Sequence, residues 1–236
     1  MHNNDPVGTA FAPTCKAKNL VVTVAHNVVD KDGKVLSDNL HVVSKLEKPV
    51  IGFSPYVESP PEGFRTGNRV FIELVCCDVS EDWAVLKLKN SRSQFDETLD
   101  VLLNVSLLPR TKDEERFKIY HSPVEHFLKD KDEKVLDIIP TGDVKPYSAT
   151  TFYRTINYPV GLSKGSCGGI ALWKRRNVVV SIHLSSSNAI DKSESSSTLD
   201  DLVTAHNSVA DSHSSFSTGL LLCACPEFVK YLSAEL

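Results

Sequence analysis

The chain has 236 residues, 41% hydrophobic and 24% charged, with 26 Lys+Arg against 30 Asp+Glu, a net charge of -4 and a pI near 6.1. That length can bury a sizeable core as one large domain or two small ones. The near-balanced, slightly acidic charge argues against a surface built for nucleic acid or anionic lipid. No uninterrupted apolar run reaches the roughly 18–20 residues of a membrane span. Residues 1–6 have neither the basic region nor the apolar run of a signal peptide.

From the N-terminus onward, short runs rich in β-branched and aromatic residues recur between Gly, Pro, Asn and Asp. They predict strands over 7–12, 20–24, 40–46, 69–75 and 83–88 in the first half. In the second half the same pattern predicts strands over 117–120, 134–139, 150–156, 169–173, 178–183 and 218–223. Residues 91–115 are polar with one apolar patch at 101–108, so the expected organisation is an N-terminal unit over 1–95, a linker over 96–115 and a C-terminal unit over 116–236. Residues 185–217 are rich in Ser, Asp and Asn. Such a stretch buries little, which predicts a long surface loop. Pro226 then opens a helical pattern with Phe228, Tyr231 and Leu232 on one face. Many short strands with turn signals between them indicate an all-β sandwich or barrel, here with a short C-terminal helix.

Six cysteines are present: Cys15, Cys76, Cys77, Cys167, Cys223 and Cys225. Two are adjacent, and Cys223 and Cys225 fall on one face if their segment is extended, which is a poor disulfide framework. Free thiols in a reducing, cytoplasmic setting are therefore expected. There is no CxxC pair and no HxxxH, so no metal site is expected.

Three segments carry candidate chemistry. Gly8-Thr9-Ala10-Phe11 precedes a β-branched run that ends in Val24-Ala25-His26. Asp82 stands at the head of Trp83-Ala84-Val85-Leu86-Lys87-Leu88. Gly165-Ser166-Cys167-Gly168-Gly169 is a glycine-rich turn around a thiol. Taken singly, each has a plain structural meaning: a histidine at a strand end, an aspartate in a turn, a small buried cysteine. Taken in the order His, Asp, nucleophile, they fit one mechanism of acyl transfer.

Together these residues resemble the chymotrypsin-like protease superfamily, whose marks are a strand ending in Ala-Ala-His, an Asp before an apolar strand, and Gly-Asp-Ser-Gly-Gly. The resemblance implies a double β-barrel and an endopeptidase that acts on peptide or protein substrates without a cofactor. Cys167 stands where trypsin-like enzymes have serine, and Gly-x-Cys-Gly-Gly is similar to the picornavirus-type cysteine proteases. The implied roles are Cys167 as nucleophile, His26 as base, Asp82 as its orienting acid, and the N–H groups of Gly165 and Cys167 as the oxyanion hole. Val180-Ser181-Ile182-His183 is similar to that family's Gly-x-His strand, which implies that His183, with Leu162 and Ser163, lines the pocket for a P1 Gln or Glu. The family's pocket threonine is Leu162 here. Ser166 is the alternative nucleophile. An inactive peptide-binding scaffold and a relative of the HtrA serine proteases are the alternative functions. The family normally has a further strand before the first motif, so either the first barrel lacks an edge or another segment takes that strand's place.

Overall fold

The computed structural model describes residues 8–37, 40–43, 50–54, 69–89, 95, 98–108, 115–121, 139–162, 165–187 and 216–236. The first six strands are β1 (Gly8–Phe11), β2 (Leu20–Thr23), β3 (His41–Val43), β4 (Val50–Ser54), β5 (Arg69–Asp78) and β6 (Trp83–Leu88). They pair in the order β1-β2-β6-β5-β3-β4, and β4 returns antiparallel to β1, which closes the barrel. Of the two expectations for this edge, replacement by another segment holds and an open gap does not. β4 is that segment, lying opposite β1 with Val50 across from Phe11 and Phe53 across from Gly8. Pro49, Pro55 and a central Gly52 hide this strand from a reading by propensity.

Seven further strands form a second antiparallel sheet: β7 (Phe117–His121), β8 (Ile139–Pro140), β9 (Ser148–Thr150), β10 (Thr155–Tyr158), β11 (Ile170–Trp173), β12 (Val178–Ser187) and β13 (Phe216–Leu221). Their order is β8-β7-β11-β12-β13-β10-β9. Three expectations are corrected here. The single strand over 150–156 is two strands joined by a turn at 151–154, where Arg154 takes φ 54°. The Ser-rich stretch does not begin as a loop, because Ser185, Ser186 and Ser187 pair with Thr218, Ser217 and Phe216 in the ladder. Cys223 lies in a 3-10 turn, Leu222–Ala224, rather than at the end of a strand. Residues 44–46, 134–138 and 188–215, on which other expectations fall, lie outside the described residues.

Burial explains why several strands read as unbroken apolar runs rather than alternating ones. In β2, Val21 points into the barrel with Ala25, Val28, Leu40, Ile72 and Leu86. Its neighbour Val22 points the other way, into a second cluster shared by Phe11, Val85, Ile170, Val179 and Ile182. Successive side chains face opposite sides of a strand, so a strand covered on both faces is apolar throughout. A third cluster, with Phe117, Ile119, Ile156, Tyr158 and Trp173, fills the second sheet.

The connecting segment is stitched to both sheets. Leu99 N–H donates to Ala12 O and Leu99 O accepts from Thr14 N–H, while Leu102 N–H donates to Val179 O and Asp100 O accepts from Val179 N–H. The helix α1 (Pro226–Glu235) leaves the second sheet and packs Phe228 edge-on against Trp83 of the first, with ring centroids 5.6 Å apart. Glu235 O at its end accepts from Lys16 N–H at 2.8 Å. Phe228 is fully buried in the cluster between the sheets. Phe228→Ala is therefore expected to cost about 3–5 kcal/mol in urea unfolding; a loss under about 1 kcal/mol would show that this ring does not seal the junction.

Candidate active site

His26 is delivered by one 3-10 turn, Ala25–Asn27, at the end of β2. Ala25 and Asn27 are buried, so the turn is anchored on both sides of a histidine whose side chain is 48% exposed. Asp82 heads β6 with φ 59°. This left-handed conformation is one that Asp adopts more readily than most residues. The turn before it is held by Asp78, whose Oδ1 accepts from Ser80 N–H, Ser80 Oγ–H and Glu81 N–H at 2.8, 2.6 and 2.9 Å. Burial would raise the Asp78 carboxyl, but these bonds outweigh it and hold the group below its ordinary range. Glu81 pairs with Arg154 of the second sheet and accepts from Trp83 Nε1–H, so the same turn is tied across the two sheets.

Asp82 grips His26 twice. Its Oδ1 accepts the His26 backbone N–H at 2.9 Å and its Oδ2 meets Nδ1 at 2.7 Å. A carboxylate only accepts, so Nδ1 carries the proton and Nε2 is left free of Asp82. Burial works against charge on this imidazole, but the hydrogen bonds to Asp82 and Cys167 and the charges of both raise its pKa to about 10.

Cys167 sits in the turn between β10 and β11, and the first barrel holds its carbonyl. Cys167 O accepts from Thr9 N–H at 2.8 Å and from Asn27 Nδ2–H at 3.1 Å. Thr23 Oγ–H in turn donates to Thr9 O at 2.8 Å, and Asn27 Nδ2 reaches Thr23 Oγ at 3.1 Å. A Cβ on Gly168 would stand 1.9 Å from Thr9 O, and φ there is 84°. Only glycine fits that close approach at that backbone angle. The Cys167 thiol donates to Leu184 O at 3.1 Å. Leu184 is the extra residue at a β-bulge in β12, between His183 opposite Gly219 and Ser185 opposite Thr218. A bulge re-aims the local backbone, here its carbonyl toward the thiol. Among the described residues, the N–H groups of Gly165 and Cys167 meet no acceptor.

His183 lies in β12, 5% exposed, with its N–H donating to Gly169 O at 2.6 Å and its carbonyl accepting from Gly168 N–H at 2.8 Å. Its Nε2 is 3.3 Å from Ser186 Oγ, which also accepts from Leu162 N–H at 3.0 Å. Ser217 joins this cluster, 2.8 Å from Ser186 Oγ and donating to Val160 O at 2.6 Å. Burial, reinforced by His121 and His26, lowers the His183 pKa to about 3. Ser163 lies outside the described residues. Ser166 is 0% exposed, with Oγ 2.7 Å from His121 Nδ1, so its hydroxyl faces the interior and is not available as a nucleophile.

The structure thus pairs His26 with Asp82, with Cys167 close enough to act on the imidazole's charge, and places His183 and Leu162 around Ser186. Sequence reasoning missed Thr9, Thr23, Asn27, His121 and Ser186. The one available signal was polarity out of place: hydroxyls inside apolar strands and an amide directly after His26. Among the described residues no group of His, Cys, Asp and Glu is arranged to hold a metal ion. No helix among the described residues is long and apolar enough to cross a membrane.

No family model matches the sequence, and no curated protein matches it. Solved structures do. An HtrA-type protease, AlgW, described with a decapeptide, superposes with a TM-score of 0.54 at 12% identity over 97% of this chain and 52% of its own. This chain therefore spans about half the length of that protein. A thermostable serine protease, AL20, from an extremophilic microorganism gives 0.51 at 14% identity, over 97% and 96% of the two chains. The chain has the all-β, chymotrypsin-like fold of these proteases.

Proposed function

We propose that this chain is an endopeptidase in which Cys167 attacks the scissile carbonyl. The observation that carries this is the double hydrogen bond by which Asp82 fixes His26, with Cys167 near enough to help bias the imidazole toward its charged form. The thiolate is the reactive form of cysteine, and a charged His26 is its counter-ion. The Sγ–C bond forms as the carbonyl π bond opens. His26 then gives its Nε2 proton to the leaving amine as the C–N bond breaks, and later takes a proton from the water that hydrolyses the thioester. Asp82 keeps the ring oriented throughout. The N–H groups of Gly165 and Cys167 receive the oxyanion. An N-terminal unit over 1–95 would then supply His26 and Asp82, a C-terminal unit over 116–236 would supply Cys167, and the segment over 96–115 would join them.

For His183 we propose a P1 pocket that reads an amide. An imidazole held uncharged well below neutral pH offers a hydrogen bond but no positive charge, which suits Gln better than Glu. Incubation with a peptide library varied at P1, with products identified by mass spectrometry, is expected to show cleavage enriched for Gln over Glu at pH 7. A basic or large apolar P1 preference would remove His183 from that role. Both solved structures compared above are proteases, and AL20 is a serine protease. This favours a second reading, an HtrA-like enzyme that carries cysteine at the nucleophile position.

A further inference from the structure

We propose that His121 is a positioning residue that holds the oxyanion turn open through Ser166; this rests on the cysteine-peptidase reading above. Ser166 is the residue between Gly165 and Cys167, whose N–H groups would receive the oxyanion. The way its side chain is fixed therefore decides how the two neighbouring peptides face. That side chain is wholly buried, with Oγ 2.7 Å from His121 Nδ1, and its carbonyl accepts from Gly169 N–H at 2.8 Å. Ser166 is thus held at both its hydroxyl and its carbonyl, while Gly165 and Gly168 on either side take φ 88° and 84°. Glycines at such angles have little conformational preference of their own, so the order of the turn must come from its partners.

The surroundings are shaped around the histidine. His121 ends β7 on the inward face of the alternation Phe117, Ile119, His121. A Cβ on Gly169 would stand 2.8 Å from Tyr120 O, 2.9 Å from Ser166 O and 3.0 Å from His121 Cβ. Gly169 therefore leaves the room that lets β7 and the turn close on each other. Without His121 the buried Ser166 hydroxyl would lose the partner that satisfies it, so the pair locks the turn in one arrangement.

Two probes of Cys167 separate this role from a general loss of structure. Iodoacetamide alkylates Sγ by displacing iodide and builds no oxyanion. p-Nitrophenyl acetate acylates it: the Sγ–C bond forms, the ester C–O bond breaks, and p-nitrophenolate leaves with the electron pair. Rates at Cys167 are read by peptide mapping in the full chain. His121→Ala and Ser166→Ala are each expected to alkylate within about twofold of the parent but to acylate roughly 30- to 100-fold more slowly, short of the 10²–10³ lost with a whole oxyanion donor. His121→Asn, whose amide can occupy the place of Nδ1, is expected to recover most of the acylation rate. Unchanged acylation in both alanine variants, or an equal fall in alkylation and acylation, overturns the role of His121. A parent whose Cys167 alkylates but is never acylated overturns the peptidase reading itself, and the inference with it.

Discussion

Cys167→Ala is expected to remove peptide cleavage by up to about 10⁶ in kcat, the scale set by loss of the nucleophile in a catalytic triad. Among the described residues, neither Ser166 nor another cysteine can stand in. Ser166 is turned into the protein against His121, and the remaining five cysteines are Cys15, Cys76, Cys77, Cys223 and Cys225, none of which lies in the Cys167 turn. The fold should survive, because what holds the turn at this residue is its carbonyl, accepting from Thr9 and Asn27, and alanine keeps that carbonyl. Cys167→Ser divides the two lineages. A serine hydroxyl is a far weaker acid than a thiol, so in the cysteine-peptidase reading cleavage is expected to fall at least roughly 100-fold. A serine variant as active as the parent would favour the HtrA-like reading. Residual cleavage in the alanine variant above about 1% of the parent would sink Cys167 as the nucleophile altogether.

The parts of this molecule legible in the sequence were those written as local pattern. The run Leu20–Thr23 into Ala25 and His26, the strand after Asp82, and the glycines around Cys167 are each determined within a few residues. Their joint order was enough to anticipate the fold. β4 was not legible, since its pairing with β1 is a long-range fact and its own residues include a central glycine between flanking prolines. Nor was the extension of β12 through Ser187, because serines read as loop until Ser186 is seen bonding to Leu162 N–H and facing Ser217 and His183. The side chains that hold the site from behind, Thr9, Thr23, Asn27 and His121, escaped for the same reason: a buried hydroxyl, amide or imidazole has meaning only through its partner, and each partner here comes from another strand or turn.

Asp82→Asn is expected to lower kcat by about 10⁴, the effect of the same change in a serine triad. Asparagine tolerates the left-handed angle that Asp82 occupies as well as aspartate does, so the backbone at φ 59° should not object. The loss is chemical. The amide can present its N–H₂ to Nδ1, which turns the imidazole into the wrong tautomer, and the negative charge beside the ring is gone. The second consequence is a displaced pH profile. Burial alone would lower the His26 pKa, and it is the hydrogen bonds and charges of Asp82 and Cys167 that raise it to about 10. Without Asp82 the alkaline limb of peptide cleavage, where His26 loses the proton it gives to the leaving amine, should move toward lower pH. Stability follows with the same sign. Protonated His26 stabilises the folded parent fully below the ordinary value of 6.5, and that contribution is lost as pH rises through about 10. The parent should therefore lose more stability between pH 6.5 and 10 than the variant does in matched urea titrations. An alkaline limb that stays in place, with the two stability profiles parallel, would mean that Asp82 does not set the charge on His26.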